Sequence, residues 1–283
     1  MVPGKYSVRP GNQIQLRKST FLIITVNSAA IFLLSYFLVY FTTQLMTAIS
    51  ASAFNINSII YYYNIDYLIR SGEWTSDAVA VVFSSGPVFS VFCALVLIII
   101  YVKVVSETGL SRLFLLWCFC HFFINFFGNM LVGTILNEGF GYVIMYQFVM
   151  DTGKMIITIF AVLCILLTGL FMARLFLYSG NIYFNVLDHH NRRRFVIAQY
   201  ILPFLIGDLI IFLLKLPEVR LFEILLNGCT LILLFPVLLR SSNIQDLYFD
   251  EEPKQIKLSG YFLLAALLVM IVFRIVLGIG IRI

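Results

Sequence analysis

Charge is the scarcest commodity in this chain. Asp, Glu, Lys and Arg together make up 12% of the 283 residues, about half the usual share for a soluble domain. With 61% apolar residues, the polar surface is too small to cover a water-facing exterior, which excludes an ordinary soluble fold. The net charge of +5 is not gathered into a basic face, which argues against nucleic acid as a partner. Cysteine is also sparse. Cys93, Cys118, Cys120, Cys164 and Cys229 all fall inside apolar runs, where they behave as small buried residues. Cys118 and Cys120, two apart, point to different faces of a helix, so neither a redox pair nor a disulfide framework is implied. The sequence also lacks a P-loop, a Rossmann fingerprint, G-x-S-x-G, a selectivity-filter sequence, an internal repeat and a low-complexity tract.

What the chain has instead is long hydrophobic runs. A membrane-spanning helix needs about 20 apolar residues, and seven segments qualify: approximately 20–44, 78–102, 113–136, 155–178, 195–215, 220–239 and 258–281. They leave only short connections, so residues 1–283 are expected to form a single all-α, polytopic transmembrane bundle. The first run is about 25 residues long and has no clear A-x-A-like site after it, unlike a cleaved signal peptide.

Basic residues outside the spans orient the bundle. Lys5, Arg9, Arg17, Lys18, Lys103, Arg112, Arg174, Arg192, Arg193, Arg194, Arg240, Lys254 and Lys257 fall on the N-terminal side. The opposite side has only Arg70, Lys154, Lys215, Arg220 and Arg282. This alternation predicts a cytoplasmic N terminus and an exterior C terminus, in the inner (plasma) membrane of the cell. On the exterior side, residues 46–76 combine Tyr61, Tyr62, Tyr63, Tyr67 and Trp74 with Asn55, Asn57, Asn64, Asp66 and Arg70. That mixture and the shorter stretch 139–150 suit amphipathic surface helices at the interface, with re-entrant elements as the alternative. The run Asp246, Asp250, Glu251, Glu252, Pro253 reads as a solvated loop, as does Asp188-His189-His190-Asn191 beside its three arginines.

Polar side chains within spans are costly and usually mark helix contacts or sites. His121, Asn125 and Asn129 recur every four residues and therefore share one helix face, with Trp117 and Gly128 beside them. This stripe is either an interhelical hydrogen-bonding seam or the lining of a ligand, ion or proton site. Asp208 lies about 13 residues inside Phe195, roughly 20 Å along a helix and past the middle of the bilayer. By depth alone it could pair with Arg274 as a structural staple or join His121 and Asn125 in a site. Pro87, preceded by Ser84, Ser85 and Gly86, marks either a broken helix facing a cavity or a simple kink. Pro203 and Pro236 are expected to kink their spans likewise. Glu223 and Asn227, four apart, are placed to line an entrance, with Glu223 shallow enough to be hydrated.

Two resemblances carry implications. His121-Phe122-Phe123-Ile124-Asn125, with Pro203 five residues before Asp208, resembles the intramembrane zinc metalloproteases. Their H-E-x-x-H motif supplies two zinc ligands and a general base. Here Phe122 stands at the base position and Asn125 at the second ligand position, so the resemblance implies a degenerate, inactive relative at most. Seven spans also suggest a seven-helix receptor. The predicted cytoplasmic N terminus, the lack of D-R-Y-like and N-P-x-x-Y motifs, and the absence of a lysine from the last span all point away from G-protein-coupled and retinal receptors.

The expected function is therefore non-enzymatic: binding, and by extension transport, of a small ligand or ion at a mid-membrane cluster. Its candidate residues are His121, Asn125, Asn129, Asp208, Ser84, Ser85, Arg274, Glu223 and Asn227. The alternatives are a membrane scaffold or assembly subunit and the degenerate metalloprotease-like protein. No catalytic residue, metal or cofactor is expected; the partners are the lipid bilayer, a small ligand or ion, and a membrane-protein partner.

Overall fold

In hydrocarbon every backbone N–H and C=O must find a partner, and a helix supplies all of them within one run. A computed structural model describes residues 18–103, 109–249, 254 and 256–283. Lys5, Arg9, Arg17, Asp250, Glu251, Glu252 and Pro253 lie outside these residues, as does the side chain of His190. The helices are α1 (Lys18–Ser52), α2 (Ser76–Lys103), α3 (Leu110–Leu136), α4 (Phe140–Tyr146), α5 (Asp151–Tyr178), α6 (His189–Val196), α7 (Leu202–Lys215), α8 (Leu221–Ser241) and α9 (Gly260–Ile279). Seven helical segments are long and apolar enough to cross a membrane, with α6 and α7 joined into one. The chain is thus an all-α, multi-pass bundle that meets lipid.

Helices α1 and α3 are buried over most of their length and form the centre, while α2, α5, α8 and α9 expose far more apolar surface. Helix α1 packs on α2, α3, α7 and α9, and α3 packs on α1, α2, α5 and α8. Small residues set the spacing. A Cβ at Gly128 would lie 2.7 Å from Leu226 Cδ1 of α8, and one at Gly169 would lie 2.5 Å from Pro236 Cγ, so α8 can approach α3 and α5 only where these glycines stand.

Of the two readings of Pro87, the broken helix does not hold. Helix α2 runs unbroken through Pro87. Ser84 and Ser85 donate their hydroxyls to Ala80 O (2.5 Å) and Val82 O (2.8 Å) of the same helix, and neither is among the residues lining the cavity described below. An irregularity does lie in the fifth span, where a π-helical turn, Ile197–Ile201, comes just before Pro203. A wider turn there suits a proline, whose ring crowds the preceding turn and whose nitrogen cannot donate.

Residues 46–76 do not form an amphipathic surface helix. Helix α1 continues to Ser52 and is followed by a hairpin of β1 (Ser58–Ile60) and β2 (Ile65–Tyr67), then a 3-10 turn at Ser71–Glu73. β1 also pairs antiparallel with β5 (Ile281–Arg282), giving the order β2-β1-β5. The missing information was this partner strand at the far end of the sequence. By contrast 139–150 does contain a short helix, α4, packed on α2 and α3.

At the opposite, basic end, β3 (Val186–Leu187) pairs with β4 (Leu247–Tyr248). There Arg192 is no simple topology signal. It is 1% exposed, pairs with Asp246 at 2.7 Å and donates to Ile244 O. Asp188 is not merely solvated, because it caps α6 by accepting from Asn191 N at 2.9 Å.

Candidate ligand-binding cavity

The third-span stripe faces open space. His121, Asn125 and Asn129 line a cavity of about 530 Å³ whose lining extends to Tyr63, Asn64, Ile65 and Tyr67 of the hairpin. Helix α1 contributes Tyr36, Tyr40, Thr43 and Thr47, α2 contributes Phe83, Gly86 and Pro87, and α8 contributes Glu223, Leu226 and Asn227. Tyr67 and Trp74, packed edge to face at 5.2 Å, and Tyr142 of α4 form the outer wall. The size falls within the range of small-molecule sites, as does the mixture of aromatic walls and few polar groups.

His121 lies at the cavity floor. Phe32 meets its ring at 4.6 Å and Tyr36 at 5.6 Å, both edge to face, and Trp117 stacks on it at 6.0 Å. The residue is 9% exposed, yet its Nε2 has no hydrogen-bond partner. Beneath it the bundle is closed by Trp117, Phe176, Phe195 and Tyr200, all fully buried, and Tyr200 donates to Phe176 O at 2.7 Å. Trp117 Nε1 donates to Ser28 Oγ at 3.3 Å, and Ser28 in turn donates to Gln199 O in the π-turn at 2.6 Å. The wide turn therefore anchors this aromatic seal. Two turns above His121, Asn129 Nδ2 donates to both Asn125 O (2.6 Å) and Asn125 Oδ1 (2.7 Å).

Glu223 lines the cavity but is not freely hydrated. Its Oε1 accepts from Lys215 Nζ at 2.8 Å, with the two side chains 14% and 3% exposed. The Lys215 ammonium also stands 4.1 Å from the Tyr40 ring centroid and 5.7 Å from that of Tyr36. The charge count along the sequence takes Lys215 for a flanking cation, whereas α7 carries it into the bundle. The overlooked signal is a lysine closing an apolar helix eight residues before an acid at the start of the next one.

Asp208 forms neither expected partnership. It lines a separate hollow of about 220 Å³ with Lys215, Glu223 and Asn227 between α7 and α8. Arg274 instead donates to Leu216 O at 3.0 Å and stacks over Tyr62 at 4.0 Å. Depth matched these groups, but the directions in which their helices point them did not. Glu223 and Asn227 line both spaces, so they form the wall between them.

No protein-family model, curated protein or solved structure matches this chain. Among the described residues, no three His, Cys, Asp or Glu side chains converge as metal ligands. With Phe122 and Asn125 in the motif positions and Asp208 lining the other hollow, the metalloprotease-like pattern has no donor set to work with.

Proposed function

We propose that this integral membrane protein binds a small ligand in the His121–Asn125–Asn129 cavity, entered from the exterior side. The observation that carries this reading is that the polar stripe of an apolar span lines a cavity of ligand size. The aromatic seal under His121 favours capture from one side. Passage across the bilayer would require that seal to open. The basic-residue count supports an exterior mouth at the hairpin end.

The test is the thermal stability of the purified protein against a small-molecule panel, in the native chain and in Asn125→Trp, which fills the cavity. A ligand should raise the melting temperature of the native chain only. If no compound stabilises it, or if the same compounds stabilise Asn125→Trp equally, the reading is wrong.

One observation favours assembly as a second reading. Leu205, Leu209 and Phe212 are exposed around the hollow that holds Asp208. A carboxylate among lipid-facing groups at that depth is a natural contact for a partner helix. Asp208→Asn would then release a co-purifying membrane protein, and unchanged composition of the purified material would remove this reading.

A further inference from the structure

Several groups that line the cavity present hydrogen-bond acceptors to it, and the cause lies in the hydrogen bonds of its own walls. Thr43 donates its hydroxyl to Val39 O at 2.8 Å or Tyr40 O at 3.0 Å, and Thr47 donates to Thr43 O at 3.1 Å. Tyr40 OH donates to Tyr61 O at 3.0 Å. Each of these hydroxyls therefore keeps only lone pairs for a visitor. Two of the amides follow the same pattern, whereas Asn125, whose Oδ1 accepts from Asn129, keeps its NH₂ as a donor. Asn129 faces the backbone oxygen of Asn125, and Asn64 faces that of Ile65 at 2.8 Å. A carbonyl oxygen can only accept, so both side chains must turn their NH₂ groups toward it and leave Oδ1 over. Asn64 uses its amide nitrogen again on Asp66 Oδ1 at 3.1 Å, as Asn129 does on Asn125 Oδ1.

An unmet group and the charges agree with this. Glu223 Oε2, a pure acceptor when ionised, has no partner. Glu138 adds a second carboxylate to the lining, whereas Arg220 is exposed at its edge and Lys215 lies behind the wall. The aromatic faces of Tyr67, Trp74 and Tyr142 add negative quadrupole potential. The wall already holds one ammonium, that of Lys215, between Tyr40 and Glu223.

We infer that the ligand of this cavity is an organic ammonium: a protonated amine with an apolar body, its nitrogen donating to the wall acceptors and its body lying against the aromatic rings. An ammonium has three donors and no acceptor, which complements such a lining better than a hydroxyl does. This inference rests on the binding reading above and narrows its ligand class.

The experiment titrates purified protein at neutral pH with butylamine, cyclohexylmethylamine and 2-phenylethylamine, each against the alcohol of the same shape. Binding is followed by tryptophan emission, with Trp74→Phe assigning the signal to the cavity. At least one amine should bind about tenfold or more tighter than its alcohol, as expected for a charge-assisted hydrogen bond. Glu138→Gln, a conservative change at a half-buried site, should weaken the amine more than the alcohol. Equal binding of amine and alcohol overturns the ammonium inference and leaves the binding reading standing. Failure of all six probes also overturns it, and the melting-temperature comparison with Asn125→Trp then decides separately whether the cavity binds anything.

Discussion

Lys215 and Glu223 form a buried ion pair, 2.8 Å apart, that joins the end of α7 to the start of α8 across the wall of the cavity. The two partners are not equivalent. Lys215 lies against Tyr36 and Tyr40 and borders the smaller hollow, whereas Glu223 borders both hollows. Removing one partner of such a pair costs about 3–5 kcal/mol when the other stays buried and charged. Glu223→Gln should therefore approach that loss, because it strands the ammonium. Lys215→Met should cost less, since the carboxylate can hydrate. The double variant should recover most of the difference. Denaturant unfolding of the four proteins in detergent measures this, and equal losses in the two single variants would contradict it.

The same asymmetry applies at the basic end. Arg192 is 1% exposed while its partner Asp246 is 43% exposed at the side chain. Asp246→Asn leaves the guanidinium buried without its counter-charge and should cost on the order of 3 kcal/mol. Arg192→Met, which takes the buried charge away, should cost less. Thermal melts of the two variants test the order.

Gly280 turns α9 into β5 with φ of +89°, and a Cβ there would lie 2.6 Å from Ile59 Cγ2. Gly280→Ala should cost about 1–3 kcal/mol, as expected where only glycine fits the backbone. The loss should be local. Amide exchange at Ser58, which donates to Ile283 O at 3.0 Å, should accelerate while the helices keep their protection.

The Tyr67 phenol, outside the spans, is held above its ordinary pKa by burial. A folded-state value above the unfolded one means stability that is complete below about pH 10 and lost as pH rises toward the folded value. The hairpin end should loosen in that window, reported by Trp74 emission, 5.2 Å away ring to ring. Tyr67→Phe should abolish the step. A step that persists in this variant would assign it elsewhere.

Much of the candidate site could be read directly from the residues. His121, Asn125 and Asn129 recur every four positions, so a helix alone places them on one face, and Glu223 and Asn227 share a face for the same reason. The groups read from depth fared differently. Asp208 and Arg274 stand at similar heights, but height along a helix carries no information about which neighbour a side chain meets. Ser84 and Ser85 beside Pro87 admit two readings, a broken helix facing a cavity or a simple kink with their hydroxyls bonded to the helix. A hydroxyl within a helix can close on its own carbonyls, and both do.

The sequence by itself determined that this protein is a helical bundle in a membrane, because 12% charge and seven long apolar runs admit no water-covered fold. It also determined which few polar groups had to be accounted for. Only the tertiary structure decided that the third-span stripe meets a cavity, that Lys215 belongs to Glu223, and that the C-terminal strand completes a sheet with Ile59 and Ile60. The reason is physical. Hydropathy and helical period are local properties of the chain, whereas the direction of packing between α1, α7 and α8 depends on side chains more than 170 residues apart, such as Tyr40 and Lys215.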